Sequence, residues 1–261
     1  GLRVVVRDMI FPGLRHTVSD ATVHGTTLEL TLRPDGNKLQ HRSGQFAVVK
    51  VQKPGLSEPH IFTIASGPDE PALRFFIRDL GDWTTKMQTA DLHGATVVVE
   101  GPYGRFEPTV AHTSRTVWVA GGVGVTPFLS ASNALDPAPE GERPVLFYAV
   151  RSVDDAMALA ALRQAEAEGR IDLRLCSSTL GTRFSLELLA EHAGPDLSGA
   201  HAAVCGPVGL VHTASDAARS LGATDIETED FDIRQGFGPD LSRDVENLVN
   251  QFVASRKDRR R

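Results

Sequence analysis

Cysteine is almost missing from this chain: Cys176 and Cys205 are the two thiols in 261 residues. Two thiols cannot build a disulfide scaffold or ligate an iron–sulfur cluster, and a reducing compartment is the simpler setting for them. The nine histidines are scattered, without the paired spacing that a metal site needs. Positive charge is not in excess either, since 27 Lys and Arg against 33 Asp and Glu leave a net charge of −6. That balance gives no footing to a nucleic-acid partner. No run approaches the roughly 18 apolar residues of a transmembrane helix. The first residue is Gly1 and no signal-peptide pattern follows it, as expected of a processed chain or a piece of a longer one. With 41% hydrophobic and 23% charged residues, the composition is that of a soluble globular protein of two ordinary domains.

What is present divides near Pro108 to Thr113. Residues 1–13 form a lead-in connector ending at Pro12-Gly13. From Leu14 to about Glu107 the pattern is short strands broken by turn signals. Thr27 to Leu32 alternates with period two and ends at Pro34-Asp35-Gly36-Asn37. Phe46–Val51, His60–Ser66, Ala72–Arg78 and Ala95–Glu100 complete an all-β set, with a short helix at Thr84–Thr89. Such spacing predicts a small antiparallel barrel or sandwich. Beyond Pro108 strands and helices alternate. Strand Thr116–Ala120 precedes helix Val125–Asn133, and Val145–Val150 precedes Ala156–Glu168. Ile171–Leu175 precedes Leu186–Glu191, and Ala202–Cys205 precedes Gly209–Ser220. That alternation predicts a parallel sheet with helices on both faces.

The junction of the first strand and helix is the strongest local signal. Val117 to Ala120 is a short apolar run suited to a central parallel strand. Gly121, Gly122 and Gly124 let a ligand approach the backbone, and Thr126-Pro127 suits a first helical turn. A glycine turn at a helix N-terminus favours a phosphate. Pro127 stands where the usual dinucleotide fingerprint has its third glycine.

Other segments carry chemistry only in combination. In His60-Ile61-Phe62-Thr63-Ile64-Ala65-Ser66 a cation-capable ring, an aromatic plate and a hydroxyl lie close together. They could serve a flavin, although an ordinary strand with a surface histidine has the same residues. Ile77-Arg78-Asp79-Leu80-Gly81-Asp82-Trp83-Thr84 offers a second phosphate-ready turn beside an arginine. Gly101-Pro102-Tyr103-Gly104 is a stiff turn leaving the last β strand. Arg151 follows the strand Val145–Val150, where a nucleotide-binding sheet usually reads the ribose, and an arginine there accommodates a 2′-phosphate. Asp154 and Asp155 blunt that inference. Cys205-Gly206-Pro207 ends the next strand on the edge where ligands bind, and Glu227 to Arg234 adds acids and the late aromatic Phe231.

Together and in order, these motifs resemble the ferredoxin–NADP reductase superfamily, and most closely the FAD/NADPH dehydrogenase domain of ferric reductases and NADPH oxidases. The likeness runs from about Leu14 to Arg234. It implies an antiparallel β-barrel FAD domain over residues 14–110 and a parallel-sheet NAD(P)H-binding α/β domain over residues 111–235. Residues 236–261 form a C-terminal extension, in which Val245 to Ala254 has a helical apolar pattern. By this resemblance His60 contacts the flavin pyrophosphate, Phe62 packs on the isoalloxazine and Thr63 reaches its N5 region. Ile77, Arg78, Gly81, Trp83 and Thr84 belong to the second phosphate clamp. Gly121, Gly122, Gly124, Thr126 and Pro127 form the pyridine-nucleotide phosphate loop, with Arg151 at the ribose. Cys205, Gly206 and Pro207 lie beside the nicotinamide, and Phe231 covers the flavin. Two departures stand out. Ile61 replaces a proline, which alters local stiffness and not the flavin contacts, and Glu227 replaces a histidine.

The activity so implied is an FAD-dependent NAD(P)H:acceptor oxidoreductase using NADPH, with NADH possible. Thr63, Cys205 and Phe231 are the residues nearest the chemistry, no metal is expected, and the cofactors carry the hydride. The expected partner is a haem-bearing membrane domain, within the same parent chain or separate, with this chain at the cytoplasmic face. A complete soluble reductase serving a separate electron carrier is the alternative, and a nucleotide-binding subunit without turnover is a third.

Overall fold

The protein is described from a computed structural model that covers residues 13–108, 115–232 and 236–237. The lead-in up to residue 12 and the helical pattern at Val245 to Ala254 lie outside the described residues.

Six strands form the first unit: β1 (Leu14–His24), β2 (Thr27–Pro34), β3 (Phe46–Val51), β4 (His60–Thr63), β5 (Leu73–Arg78) and β6 (Thr96–Tyr103), with helix α1 (Asp82–Thr89) between β5 and β6. The sheet runs β4-β3-β6-β1-β2-β5, and every pairing is antiparallel. Alternate residues turn inward, so Leu28, Leu30 and Leu32 of β2 meet Phe75 and Ile77 of β5 and Val97 and Val99 of β6 in one core. The end strands curl toward each other. The strand at His60 stops at Thr63 rather than Ser66 because the next amides leave the ladder. Ile64 N–H donates to the Gln45 carbonyl at 2.9 Å and Ala65 N–H crosses to the Arg74 carbonyl of β5 at 2.8 Å.

One expectation here needs correction, and one strand was not anticipated. The segment Gly101-Pro102-Tyr103 is not a turn leaving the barrel but the end of β6, and the register shifts opposite Phe46 to Val48. A proline is tolerated in a ladder at such a bulge, where its missing N–H is not needed. Leu14–His24 is the longest strand of the unit, and a register shift between Val18 and Asp20 breaks its alternation.

The second unit contains β7 (Thr116–Gly121), α2 (Thr126–Asn133), β8 (Val145–Val150), α3 (Leu159–Ala167), β9 (Asp172–Ser177), α4 (Leu186–Ala193), β10 (His201–Pro207), α5 (Val208–Ser220), β11 (Asp225–Asp232) and β12 (Gly236–Phe237). Its sheet order is β12-β11-β10-β7-β8-β9, parallel except for the β11–β12 pair. All of β7 is buried, which explains its unbroken apolar run. Trp118 and Ala120 face one core with α2 and α3, while Val117 and Val119 face the other with α4 and α5. The predicted helix from Ala156 starts later, at Leu159. Val153–Asp155 is a separate 3-10 turn capped by Ser152, and Ala158 has a positive φ of 55° that breaks helical continuity.

The first of those cores crosses the domain seam. Ala65, Phe76 and Phe106 of the barrel unit pack with Trp118, Phe128 and Leu129. Phe106 meets Phe128 edge-to-face at 5.9 Å and 87°, a favoured aromatic geometry. The two units therefore share buried apolar surface.

Candidate active site

In the parallel sheet the direction of strand order reverses between β7 and β10. A crevice forms at such a switch point, outside the carboxyl ends of the strands. Here the barrel's β4, β5 and α1 close over it, leaving a cavity of about 610 Å³ lined from both units. That lies within the range of small-molecule and cofactor sites, roughly 300–1,000 Å³.

The barrel wall is aromatic. Trp83 sits on α1, with its indole N–H donating to the Leu56 carbonyl at 3.3 Å. Its ring lies 3.9 Å from that of His60 and 6.0 Å from that of Phe62. Burial lowers the pKa of His60, and Glu58, at 4.0 Å, opposes the shift only weakly. His60 Nε2 is buried without a hydrogen-bond partner, a group that calls for a ligand oxygen. Arg78 enters the cavity from β5 and pairs with Asp155 of the other unit at 3.5 Å. The Thr84 hydroxyl is already engaged, accepting the Leu80 and Gly81 N–H groups at 2.9 Å each.

The opposite wall is the glycine turn. Gly121, Gly122, Val123, Gly124, Thr126 and Pro127 line the cavity, and Thr126 ties the turn down by donating to the Val123 carbonyl at 2.7 Å. A side chain at Gly124 would collide with the Cys205 carbonyl, so glycine is required for the turn to reach β10.

The floor carries a titratable pair. Cys205 lies opposite Glu229 in the β10–β11 register, with Sγ 3.9 Å from Oε2. Burial, aided by Glu229 and Asp230, pushes the Cys205 thiol well up, so it stays neutral. Burial and the charges of Glu227 and Asp230 raise Glu229 to about 7. Glu227 lies off the cavity and accepts the Glu107 N–H at 3.0 Å across the seam.

Of the residues picked from sequence, the cavity gathers His60, Phe62, Thr63, Arg78, Gly81, Trp83, Thr84, Gly121, Gly122, Gly124, Thr126, Pro127, Cys205 and Pro207. Ile77 is not among them: alternation turns it into the barrel core while Phe76 and Arg78 face the cavity. Gly206 is buried against the backbone of Gly121, and Arg151 stands exposed beyond the cavity. The Phe231 backbone pairs with Pro207 and Phe237, and its side chain lies outside the described residues. Glu229 was missed as a site residue. Recognising Asp225–Asp232 as a strand in register with His201–Pro207 would have placed it beside Cys205.

The two units that form this cleft match known domains of oxidoreductases. An FAD-binding domain family matches residues 15–107, and an oxidoreductase NAD-binding domain family matches residues 118–216. The chain therefore carries an FAD-binding domain followed by an oxidoreductase NAD-binding domain, and it is ferredoxin reductase-like in that order. It is 33% identical to dual oxidase 2 of Sus scrofa over 106 residues, 38% of this chain and 7% of that protein. It is 34% identical to NADPH oxidase 1 of Mus musculus over 107 residues, 40% of this chain and 18% of that protein. The chain thus matches only a small part of those oxidases. Among solved structures, the flavohaem-like FAD/NAD-binding domain of nitric oxide dioxygenase from Vibrio cholerae superposes with a TM-score of 0.71 at 18% identity, covering 84% of this chain and 98% of that one. Ferredoxin-NADP+ reductase from Plasmodium falciparum superposes at 0.66 and 13% identity, covering 84% of this chain and 96% of that one. At those identities the likeness is one of fold.

Proposed function

We propose that this chain is the reductase unit of an NADPH oxidase- or ferric reductase-type system, accepting hydride from NADPH and releasing electrons singly to a haem-bearing membrane domain from the cytoplasmic face. Residues 14–110 would hold FAD and residues 111–235 the nicotinamide nucleotide. The observation that carries the reading is one cavity in which the His60–Thr63 strand faces the Gly121–Pro127 turn. FAD, when bound, supplies the chemistry that accepts a hydride at N5 from nicotinamide C4 and gives electrons up one at a time.

The residues present fit that cofactor. His60 Nε2, which has no hydrogen-bond partner, and the Arg78 guanidinium offer donors to a pyrophosphate. Phe62 and Trp83 would present apolar faces to a ring system, and Thr63, which lines the same cavity, would offer its polar edge a hydroxyl. The Gly121–Pro127 turn, followed by α2, suits the phosphates of the incoming nucleotide. Cys205 remains a neutral thiol that packs without repelling an electron-rich ring. Glu229, its carboxyl raised to about 7 by burial and the neighbouring acids, holds its proton to higher pH than an ordinary carboxyl and lies close enough to the thiol to order it. Phe231 would cover the flavin.

NADPH is favoured over NADH by Arg151 at the carboxyl end of β8. The acids that could read a free 2′-hydroxyl are Asp154 and Asp155, and Asp155 is drawn to Arg78 instead. A membrane haem acceptor is what the family resemblance implies, and the NADPH oxidase relatives agree with an oxidase-type system. Among the described residues no helix is long and apolar enough to cross a membrane. The test is ferricyanide reduction by NADPH with the purified chain. Turnover that depends on added FAD supports the reading, and turnover that is absent with FAD present removes it. For the acceptor, apolar helices with paired histidines encoded upstream would support haem, and a soluble carrier module would overturn it.

A further inference from the structure

One fully buried hydroxyl joins the two halves of the cleft without lining it. Ser130 lies on α2, one helical turn beyond Thr126. Its Oγ–H donates to the Ser66 carbonyl at 2.7 Å and lies 3.3 Å from the Ser43 hydroxyl. The same carbonyl accepts from His41 Nε2 at 3.1 Å, so both of its lone pairs are used. The Ser66 hydroxyl accepts the Arg74 N–H of β5 at 3.2 Å. Ser66 is therefore fixed to the barrel through its hydroxyl and through His41, and to the nucleotide domain through its carbonyl.

The backbones are in contact at this point. A side chain at Gly67 would stand 3.2 Å from the Asn133 Cβ and 3.4 Å from its carbonyl carbon, wedging the seam open. Elsewhere the seam combines apolar packing, Phe106 against Phe128 with Ala65 beside them, and two polar contacts nearer solvent, Arg78 with Asp155 and the Glu107 N–H with Glu227. Apolar packing is non-directional and allows small rotations, whereas a short buried hydrogen bond specifies one alignment. Ser66 stands three residues beyond Thr63, and Ser130 four beyond Thr126. The bond between them sets how the flavin-type strand stands against the phosphate turn.

We infer that Ser130 is a positioning residue: its bond to the Ser66 carbonyl registers the two cofactor sites and passes nucleotide binding to the 60–67 segment. The inference rests on the reading of the cleft given above. Reacting atoms must approach to about 3–3.5 Å for transfer, and a misplacement of 1 Å can cost on the order of a hundredfold in rate. Binding of either cofactor does not need that alignment.

The experiment compares wild type with Ser130→Ala and the near-isosteric Ser130→Cys, all as FAD-reconstituted full chains. At saturating NADPH under anaerobic conditions, the first-order rate of flavin reduction should fall about tenfold in Ser130→Ala, with half-saturation changed less than about twofold. Ser130→Cys, with its weaker donor, should fall in between. Independently of turnover, NADP+ should slow amide hydrogen exchange across residues 60–67 in wild type and not in Ser130→Ala. A variant that loses thermal stability but keeps the wild-type rate overturns the inference. So does exchange at 60–67 that ignores NADP+ in wild type. If NADPH fails to reduce the wild-type flavin, the functional reading falls, and the exchange measurement still decides the role of Ser130.

Discussion

Replacing Glu229 with glutamine should make the chain more stable at alkaline pH and leave it unchanged in acid. Burial and two neighbouring acids raise this carboxyl from an ordinary 4.5 to about 7. Between those values the folded chain holds a proton that the unfolded chain has lost. Unfolding releases that proton, so stability falls as pH rises through the window. A tenfold difference in proton affinity between the two states is worth about 1.4 kcal/mol, so the cost is largest above pH 7, with a ceiling of about 3 kcal/mol. Allowing for relaxation around the charge, Glu229→Gln should gain about 2 kcal/mol at pH 8, or about 4–8 °C in melting temperature for a protein of this size. At pH 4.5 the two proteins should melt nearly together, because the folded carboxyl is then protonated and the unfolded one half so, which leaves a difference of about 0.4 kcal/mol. Glutamine keeps an oxygen for the Cys205 thiol, so that contact survives the change. Calorimetry of both proteins without nucleotide from pH 4.5 to 8.5 provides the check. A difference that does not vary with pH, or a glutamine variant less stable at pH 8, would refute the burial argument.

Three further outcomes are expected. Arg151→Ala should lower kcat/KM with NADPH about tenfold, as for one charge-assisted contact, and leave NADH nearly unaffected; equal losses would remove the case for a 2′-phosphate. Gly124→Ala, whose added methyl would collide with the Cys205 carbonyl, should abolish nucleotide binding by calorimetric titration while FAD is retained, and normal nucleotide affinity would show that the turn can yield. Phe128→Ala removes a fully buried ring from the shared core and should cost about 3–5 kcal/mol in denaturant unfolding, whereas a loss under about 1 kcal/mol would mean that the units barely depend on this packing.

Segments whose signals were local could be read directly from sequence. Val117 to Ala120 is buried on both faces, so its unbroken apolar run announced a central strand, and the glycines and Pro127 marked the turn after it. The two-domain order was legible for the same reason, because the change from short strands to alternating strands and helices shows in turn spacing. What escaped depended on pairing. Asp225–Asp232 is mostly acidic and looks like a loop, yet it is held as a strand between β10 and β12, and that register brings Glu229 to Cys205. The continuation of β6 through Pro102 required a bulge opposite Phe46 to Val48. Ile77 was misplaced because motif membership says nothing about which side of a strand faces the cavity. The Ser130–Ser66 contact joins residues 64 positions apart, and no local pattern signals it.

The central claim is that one cleft holds FAD against a nicotinamide nucleotide for hydride transfer. Its most direct test is anaerobic addition of NADPH to the FAD-reconstituted chain, followed at the visible flavin bands. The account predicts complete bleaching by about one equivalent of NADPH. A chain that stays colourless after incubation with FAD, or that binds FAD and is not bleached by either nicotinamide nucleotide, would contradict it.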